Sequence, residues 1–125
     1  MFSHVTLGIS DFGRALGFWR PVMAALGHAE RFADPAKPWA AWQPAAGGRP
    51  LFIIMQPFDG KAPAPGNGPM VAFAAPDRAT VRAAHAAALD LGKGLRTACN
   101  QTLCNSDQVV QDGDEVAFFP PVTGG

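Results

Sequence analysis

The first half of the chain alternates between strand-like and helix-like patterns of apolar residues. Alternation of apolar and polar positions predicts a strand over residues 4–9. Apolar residues at helical spacing then predict a helix that Ser10 or Asp11 caps and Gly27 ends. Pro21 should kink or split this helix, because an interior proline costs about 3 kcal/mol. Three more strands are predicted, over residues 28–33, 39–43 and 51–56.

The second half repeats the order of strand and helix after a segment that is dense in proline and glycine. That segment, residues 58–69, is predicted to be a stiff linker. A strand over residues 70–75 and a helix over residues 76–91 follow, and the helix carries an apolar stripe that includes Ala84 and Ala88. The last strands are predicted at residues 95–99, at Leu103 or residues 109–110, and at residues 115–119.

Composition and charge describe one globular domain, residues 1–125, that can bury a core. Hydrophobic residues make up 48% of the chain and charged residues 16%. Ten basic residues balance ten acidic ones, so no nucleic-acid or membrane partner is predicted. The first residues lack the basic and apolar regions of a signal peptide, which favours a cytoplasmic protein. Cys99 and Cys104 could form a disulfide or half of a metal site, but reduced thiols fit that compartment better.

Three stretches occur in an order that is typical of one known family: HVTLGISDFGRALGFW, RPLFIIMQPFDG and GNGPMVAFAAPDRATVRAAHAAALDLG. Through them, residues 1–94 resemble the vicinal oxygen chelate family of glyoxalases, bleomycin-resistance proteins and extradiol dioxygenases. The resemblance implies an α+β fold of paired βαβββ modules, in which each sheet curls around a cavity that holds a divalent metal. It implies that residues 1–57 form the first module and residues 70–94 begin the second.

The metal ligands of that family are mostly missing from this chain. His4 occupies the position of the first-strand ligand, and an imidazole there suits a metal. Met70 and Ala117 stand at two later ligand positions, where a thioether or a methyl group is a poor ligand. The sequence therefore predicts weak or absent divalent metal binding, no cofactor, and an incomplete site for lyase or dioxygenase-like chemistry. His28 and His85 are predicted to be ordinary surface or helix residues.

Members of this family also bind small molecules without a metal, so the resemblance still implies a small-molecule ligand in the curled-sheet cavity. Four aromatic residues are the candidates for its apolar lining, although aromatics at such spacings also suit a plain core. These four are Trp19, Trp39, Trp42 and Phe73.

The end of the chain carries a second pattern. From Asn100 onward, NQTLCNSDQVVQDGDEVAFFPPVTGG resembles the end of the small, sulfur-carrying subunits of molybdopterin synthases, which are ubiquitin-like (β-grasp) proteins. The resemblance implies that residues 95–125 complete the shortened second module. It also implies that the Gly125 carboxylate is adenylated and converted to a thiocarboxylate, with an activating enzyme and the large synthase subunit as partners. Pro120-Pro121 should end the final strand and leave the two terminal glycines accessible.

The chain is therefore interpreted as a chimera of two families, and three functions stay open. It binds a small molecule as glyoxalase-like proteins do, it carries sulfur, or it folds and does neither. Because a shortened second module leaves a sheet edge unpaired, a homodimer is also predicted.

Overall fold

A computed structural model describes residues 1–64, 66–68, 70–91, 96–104, 109, 111, 114 and 116–119 of the protein. The elements in chain order are β1 (His4–Gly8), α1 (Phe12–Ala25), β2 (Ala29–Asp34), β3 (Trp39–Gln43), β4 (Leu51–Met55), α2 (Arg78–Leu91), β5 (Arg96–Cys99), β6 (Thr102–Cys104) and β7 (Val116–Phe119). This mixture of helices and strands confirms the predicted α+β class. Among the described residues, neither helix is long and apolar enough to cross a bilayer.

The first sheet has the strand order β1-β4-β3-β2. β1 pairs with β4 in parallel, while β3 is antiparallel to both of its neighbours. The central strand β4 is a run of apolar residues from Leu51 to Ile54, all of them buried, as expected for a strand covered on both faces. The sheet thus realises the predicted order of strand, helix and three strands.

Helix α1 begins and ends where local sequence signals place its caps. The side chain of Asp11 accepts a hydrogen bond from the backbone N–H of Arg14 at 2.9 Å, which makes Asp11 the N-cap. Gly27, with φ of 79°, takes the left-handed conformation that follows many helix ends. The helix runs through Pro21 as one element, so the predicted split does not occur. Val22 and Met23, the two residues after the proline, are buried.

The core lies on both faces of the first sheet. On the face that α1 covers, the buried residues include Met23, Trp42, Phe52 and Ile54. The opposite face carries a second cluster, formed by Ala41, Leu51 and Ile53 with Phe32 and Met55 packed against them. Alternate residues along β3 and β4 therefore belong to different clusters, as side-chain alternation requires.

The strand predicted over residues 70–75 is not present. Neither described sheet includes this segment, so its backbone does not form the hydrogen bonds to a neighbouring strand that define a β-strand. Instead the segment packs over the first sheet, with Phe73 partly buried against the helix-facing cluster. The sequence pattern was apolar enough for a strand but gave no information about a pairing partner.

The second sheet has the order β6-β5-β7, with β5 antiparallel to both neighbours. Asn100 and Gln101 join β5 to β6, and their φ values of 50° and 66° describe a two-residue turn of type I′. In both sheets the last strand pairs with the first, but β4 is parallel to β1 whereas β7 is antiparallel to β5, and the described second sheet has three strands instead of four. The second sheet is therefore not a copy of the first.

Helix α2 lies before this second sheet and packs against α1. The side chain of Asp77 accepts a hydrogen bond from the backbone N–H of Thr80 at 2.8 Å, which caps the helix start. Ala84 and Ala88 are buried, as the predicted stripe requires. The predictions for Leu95, Glu115 and residues 120–125 lie outside the described residues.

Candidate functional site

An apolar cavity of about 490 Å³ lies between the helix-facing side of the first sheet and residues 70–74. We call it the aromatic cavity, and its wall includes Val5, His28, Trp42, Phe52, Met70 and Phe73. The first sheet supplies Val5, Trp42 and Phe52, which share a face because β1, β3 and β4 hold them in register. The volume falls in the range of sites that take small organic molecules.

The rings of this wall pack against one another, edge to face for Phe52 and Phe73 and tilted for Trp42 and Phe52. The centroids of Phe52 and Phe73 lie 5.0 Å apart with an angle of 80° between the ring planes. The centroids of Trp42 and Phe52 are separated by 6.1 Å. Trp19 packs against Phe52 at 4.6 Å but is not part of the cavity wall. Aromatic pairs of this kind contribute about 0.5–1.5 kcal/mol each beyond the area they bury, which stabilises this arrangement of the wall.

His28 forms a polar part of the wall. It follows Gly27 at the end of α1, and its backbone N–H donates to the carbonyl of Met23 at 2.9 Å. Its ring centroid lies 6.1 Å from that of Phe73. Burial lowers the pKa of His28 below its ordinary value, so the imidazole is uncharged at neutral pH. No signal in the sequence indicated that His28, expected to be an ordinary surface or helix residue, would line a cavity.

The four aromatic candidates do not form one site. Trp42 and Phe73 line the aromatic cavity, and Trp19 packs behind it. Trp39 lies on the opposite face of the sheet, where its ring packs against Phe32 at 4.6 Å. The indole Nε1 of Trp39 is buried and has no hydrogen-bond partner in the described part of the chain. Side-chain alternation along β3 separates Trp39 from Trp42, because the two residues are three positions apart.

His4 shares the face of Trp39, away from the aromatic cavity. Its register partner is Leu51, and its Nδ1 lies 2.7 Å from the hydroxyl of Ser3. Met70 belongs to the wall of the aromatic cavity instead, so it does not face His4. Among the described residues, no group of three or more histidine, cysteine or acidic side chains is placed to hold a metal ion. Because His4 and Met70 lie on different faces of the first sheet, they do not fit the divalent metal site of the vicinal oxygen chelate family.

A second cavity, of about 650 Å³, lies beside the turn between β5 and β6. Its wall includes Cys99 and Cys104, neither of which forms a disulfide. The carboxylate of Asp114 accepts hydrogen bonds from the backbone N–H of Gln111 at 2.7 Å and from Asn100 at 2.8 Å. Burial and the charge of Asp114 raise the pKa of Cys99, so this thiol stays protonated at neutral pH. The arrangement stabilises a turn and does not activate a nucleophile.

The fold is that of the glyoxalase/bleomycin resistance proteins. A crystal structure of such a protein from Albidiferax ferrireducens T118 matches with a TM-score of 0.64, over 94% of this chain and 97% of that one. The two sequences are 24% identical, so this match establishes architecture alone. It confirms the glyoxalase-like α+β architecture that the N-terminal resemblance implied, while the paired βαβββ modules stay a prediction.

The C-terminal half matches a different family. Residues 67–125 match the ThiS family. Over 40 residues the chain is 65% identical to the molybdopterin synthase sulfur carrier subunit of Escherichia coli (strain K12) and 60% identical to that of Haemophilus influenzae. These matches cover 32% of this chain, which spans about half the length, 48%, of each of these relatives.

The chain therefore combines the two resemblances that its sequence indicated. The ThiS match begins at residue 67, ahead of residue 95, where the change of pattern was placed. The division into modules and linker stays a prediction.

Proposed function

We propose that the protein binds a small organic molecule in the aromatic cavity and that binding requires no divalent metal. The observation that supports this proposal most is the cavity itself, about 490 Å³ in volume and walled by Trp42, Phe52 and Phe73. Concave, largely apolar sites with few polar groups are the usual form of small-molecule sites. Because His4 lies on the other face of the sheet, the missing metal ligands do not affect this cavity.

Two substitutions on one strand test the proposal. Val5 and Thr6 are neighbours on β1, but the register places Val5 beside Phe52 in the cavity wall and Thr6 beside Ile53 on the other face. Val5→Phe should fill part of the cavity and weaken binding of an uncharged naphthylamine dye about tenfold or more, a loss of about 1.4 kcal/mol. Thr6→Phe adds a larger side chain outside the cavity and should leave dye affinity unchanged.

Dye fluorescence measures both affinities, and circular dichroism checks that the two variants stay folded. Equal affinities for the Val5→Phe and Thr6→Phe variants would show that the dye binds elsewhere. A folded wild-type protein that does not bind the dye at all would overturn the proposal.

A second candidate function, sulfur transport, is favoured by the match at the C-terminus. The ThiS match runs to residue 125, and the 65% identity over 40 residues is to a sulfur carrier. In this chemistry ATP adenylates the carboxylate of Gly125 and pyrophosphate leaves. A sulfur nucleophile then displaces AMP, which yields a thiocarboxylate. The partners would be an activating enzyme and the large subunit of a molybdopterin synthase.

Intact-mass analysis tests the carrier function. Incubation with activating enzyme, ATP and a sulfur donor should add about 16 Da, the mass of sulfur in place of oxygen. A variant with one alanine appended after Gly125 keeps every residue of the chain but moves the terminal carboxylate, so it should show no gain. No gain in the unmodified chain, beside an authentic carrier that reacts, would exclude the function. Failure of both the dye test and the mass test would leave an inactive chimera.

A homodimer also remains part of the proposal. In the described sheets, β1 and β2 are the edges of the first and β6 and β7 the edges of the second. An exposed edge presents unpaired backbone groups that a second copy can cover. Sedimentation at micromolar concentration should show a dimer, and a purely monomeric profile would count against it. The cytoplasmic location stays a prediction.

A further inference from the structure

The side chains around the aromatic cavity carry almost no charge. None of the residues that form its wall is an aspartate, glutamate, lysine or arginine. His28 is the titratable side chain of the wall. A charged ligand would lose its hydration on entering and would find no opposite charge among the described wall residues, which is strongly unfavourable. The wall therefore selects against ions of either sign.

The shape and chemistry of the wall favour a flat ring. Phe52 presents its ring between Trp42 and Phe73, at centroid distances of 6.1 and 5.0 Å. Aromatic faces and edges carry opposite partial charges, so a planar aromatic guest gains more here than an aliphatic guest of equal area.

The polar groups of the wall restrict the ligand further. The side-chain oxygen of Gln43 already accepts a hydrogen bond from Arg31 at 2.9 Å. The imidazole of His28 makes no hydrogen bond to any described residue, although the ring is partly buried. A neutral imidazole offers one donor and one acceptor, which a ligand in the cavity can engage in place of water. A ligand with a hydroxyl or ring N–H can satisfy one of them.

We propose that the aromatic cavity takes an uncharged planar aromatic molecule whose hydroxyl or ring N–H bonds to the imidazole of His28. This inference rests on the proposed binding function, because it specifies the ligand of the same cavity. It assigns to His28 a contact with the ligand that the family resemblance does not imply.

Three probes that share the naphthalene ring system separate the effect of the hydroxyl group from the effect of charge. Naphthol is uncharged and carries a hydroxyl, naphthalene lacks the polar group, and naphthoate is an anion at neutral pH. Displacement of the naphthylamine dye measures the affinity of each probe. Wild-type protein should bind naphthol about two- to tenfold more tightly than naphthalene, the gain of one hydrogen bond. Naphthoate should bind at least about tenfold more weakly than naphthol, because its charge has no partner in the wall.

Substitution of His28 assigns the hydrogen bond. His28→Phe keeps a flat ring but removes both nitrogens, so naphthol should lose its advantage over naphthalene. His85→Phe is the matched control, because His85 lies on α2 and is not part of the cavity wall. That variant should keep the wild-type ratio.

The outcomes distinguish this inference from the proposed function. Naphthoate affinity equal to that of naphthol would overturn the requirement for an uncharged ligand. A naphthol preference that survives in His28→Phe would overturn the contact with His28. If the dye binds but Val5→Phe does not weaken it, the proposed site itself is wrong, whatever the probe ratios are.

Discussion

Ile54 offers the sharpest test of the core of the first sheet. Its side chain is fully buried, at 0% exposure, and it packs in the cluster of Trp42 and Phe52. Ile54→Ala removes three carbon atoms, which at about 0.8 kcal/mol each gives a transfer loss of roughly 2.4 kcal/mol. The remaining cavity adds to this loss, because a close-packed core collapses only partly, and the total should be about 3–4 kcal/mol. For a chain of 125 residues, the melting temperature should fall by roughly 10 °C or more.

Urea unfolding followed by circular dichroism measures the free energy of unfolding. Leu7 is the register neighbour of Ile54 on β1, but its side chain is 39% exposed. Leu7→Ala should therefore cost clearly less, about 1–2 kcal/mol, although it removes the same number of carbon atoms. Ile54→Val should cost about 0.5–1.5 kcal/mol. An Ile54→Ala loss below about 1 kcal/mol, or a loss equal to that of Leu7→Ala, would refute the assignment of Ile54 to the centre of the core.

Three further predictions follow from local features. Gln101→Gly should raise the free energy of unfolding by about 0.5–1 kcal/mol, because a φ of 66° strains a glutamine more than a glycine. Urea titration measures the change, and an unchanged free energy of unfolding would mean that the turn is not of type I′. Pro21→Ala should stabilise the protein by about 1–3 kcal/mol, because alanine restores a helical hydrogen bond. A lower melting temperature for this variant would show that packing of the Pro21 ring contributes more to stability than that hydrogen bond. The folded-state pKa of His28 lies below the unfolded value of about 6.5, so stability is full above that value and falls as pH drops from it through the lower folded-state pKa. A His28→Asn variant should show a flatter pH dependence of unfolding, and an unchanged slope would contradict this.

The parts of the fold that depend on local chemistry were predictable from sequence. β3 occupies residues 39–43, as expected, because turn residues bound a short aromatic run on both sides. Asp11 and Gly27 marked the ends of α1, since a capping carboxylate and a left-handed glycine act on neighbouring backbone groups. Such signals need no knowledge of the rest of the chain.

The features that depend on distant contacts were not predictable. The segment at residues 70–75 is apolar like a strand, but only tertiary structure decides whether a partner strand exists. The run from Leu51 to Ile54 is apolar at every position, so its sequence cannot assign residues to faces. His28 was missed for the same reason: Phe73, which packs beside it, is 45 positions away in the chain.

Part of the predicted site could have been excluded from spacing alone. Trp39 and Trp42 both lie in the predicted strand at residues 39–43, and positions three apart in a strand point to opposite faces. The two rings could not line one cavity unless a bulge intervened between them. The period of two along a strand is therefore enough to separate Trp39 from Trp42.

The aromatic cavity contains residues from outside and from inside the ThiS match. Trp42 and Phe52 come from the first sheet, whereas Phe73 lies within residues 67–125, which match the ThiS family. Packing of α1 against α2 also joins the two parts. Removal of residues 67–125 would therefore destroy the proposed binding site together with the proposed sulfur-carrying tail, so deletion of the whole ThiS match cannot separate the two functions. Substitution at Val5 and extension beyond Gly125 change one function each, so single-site variants are the experiments that can distinguish them.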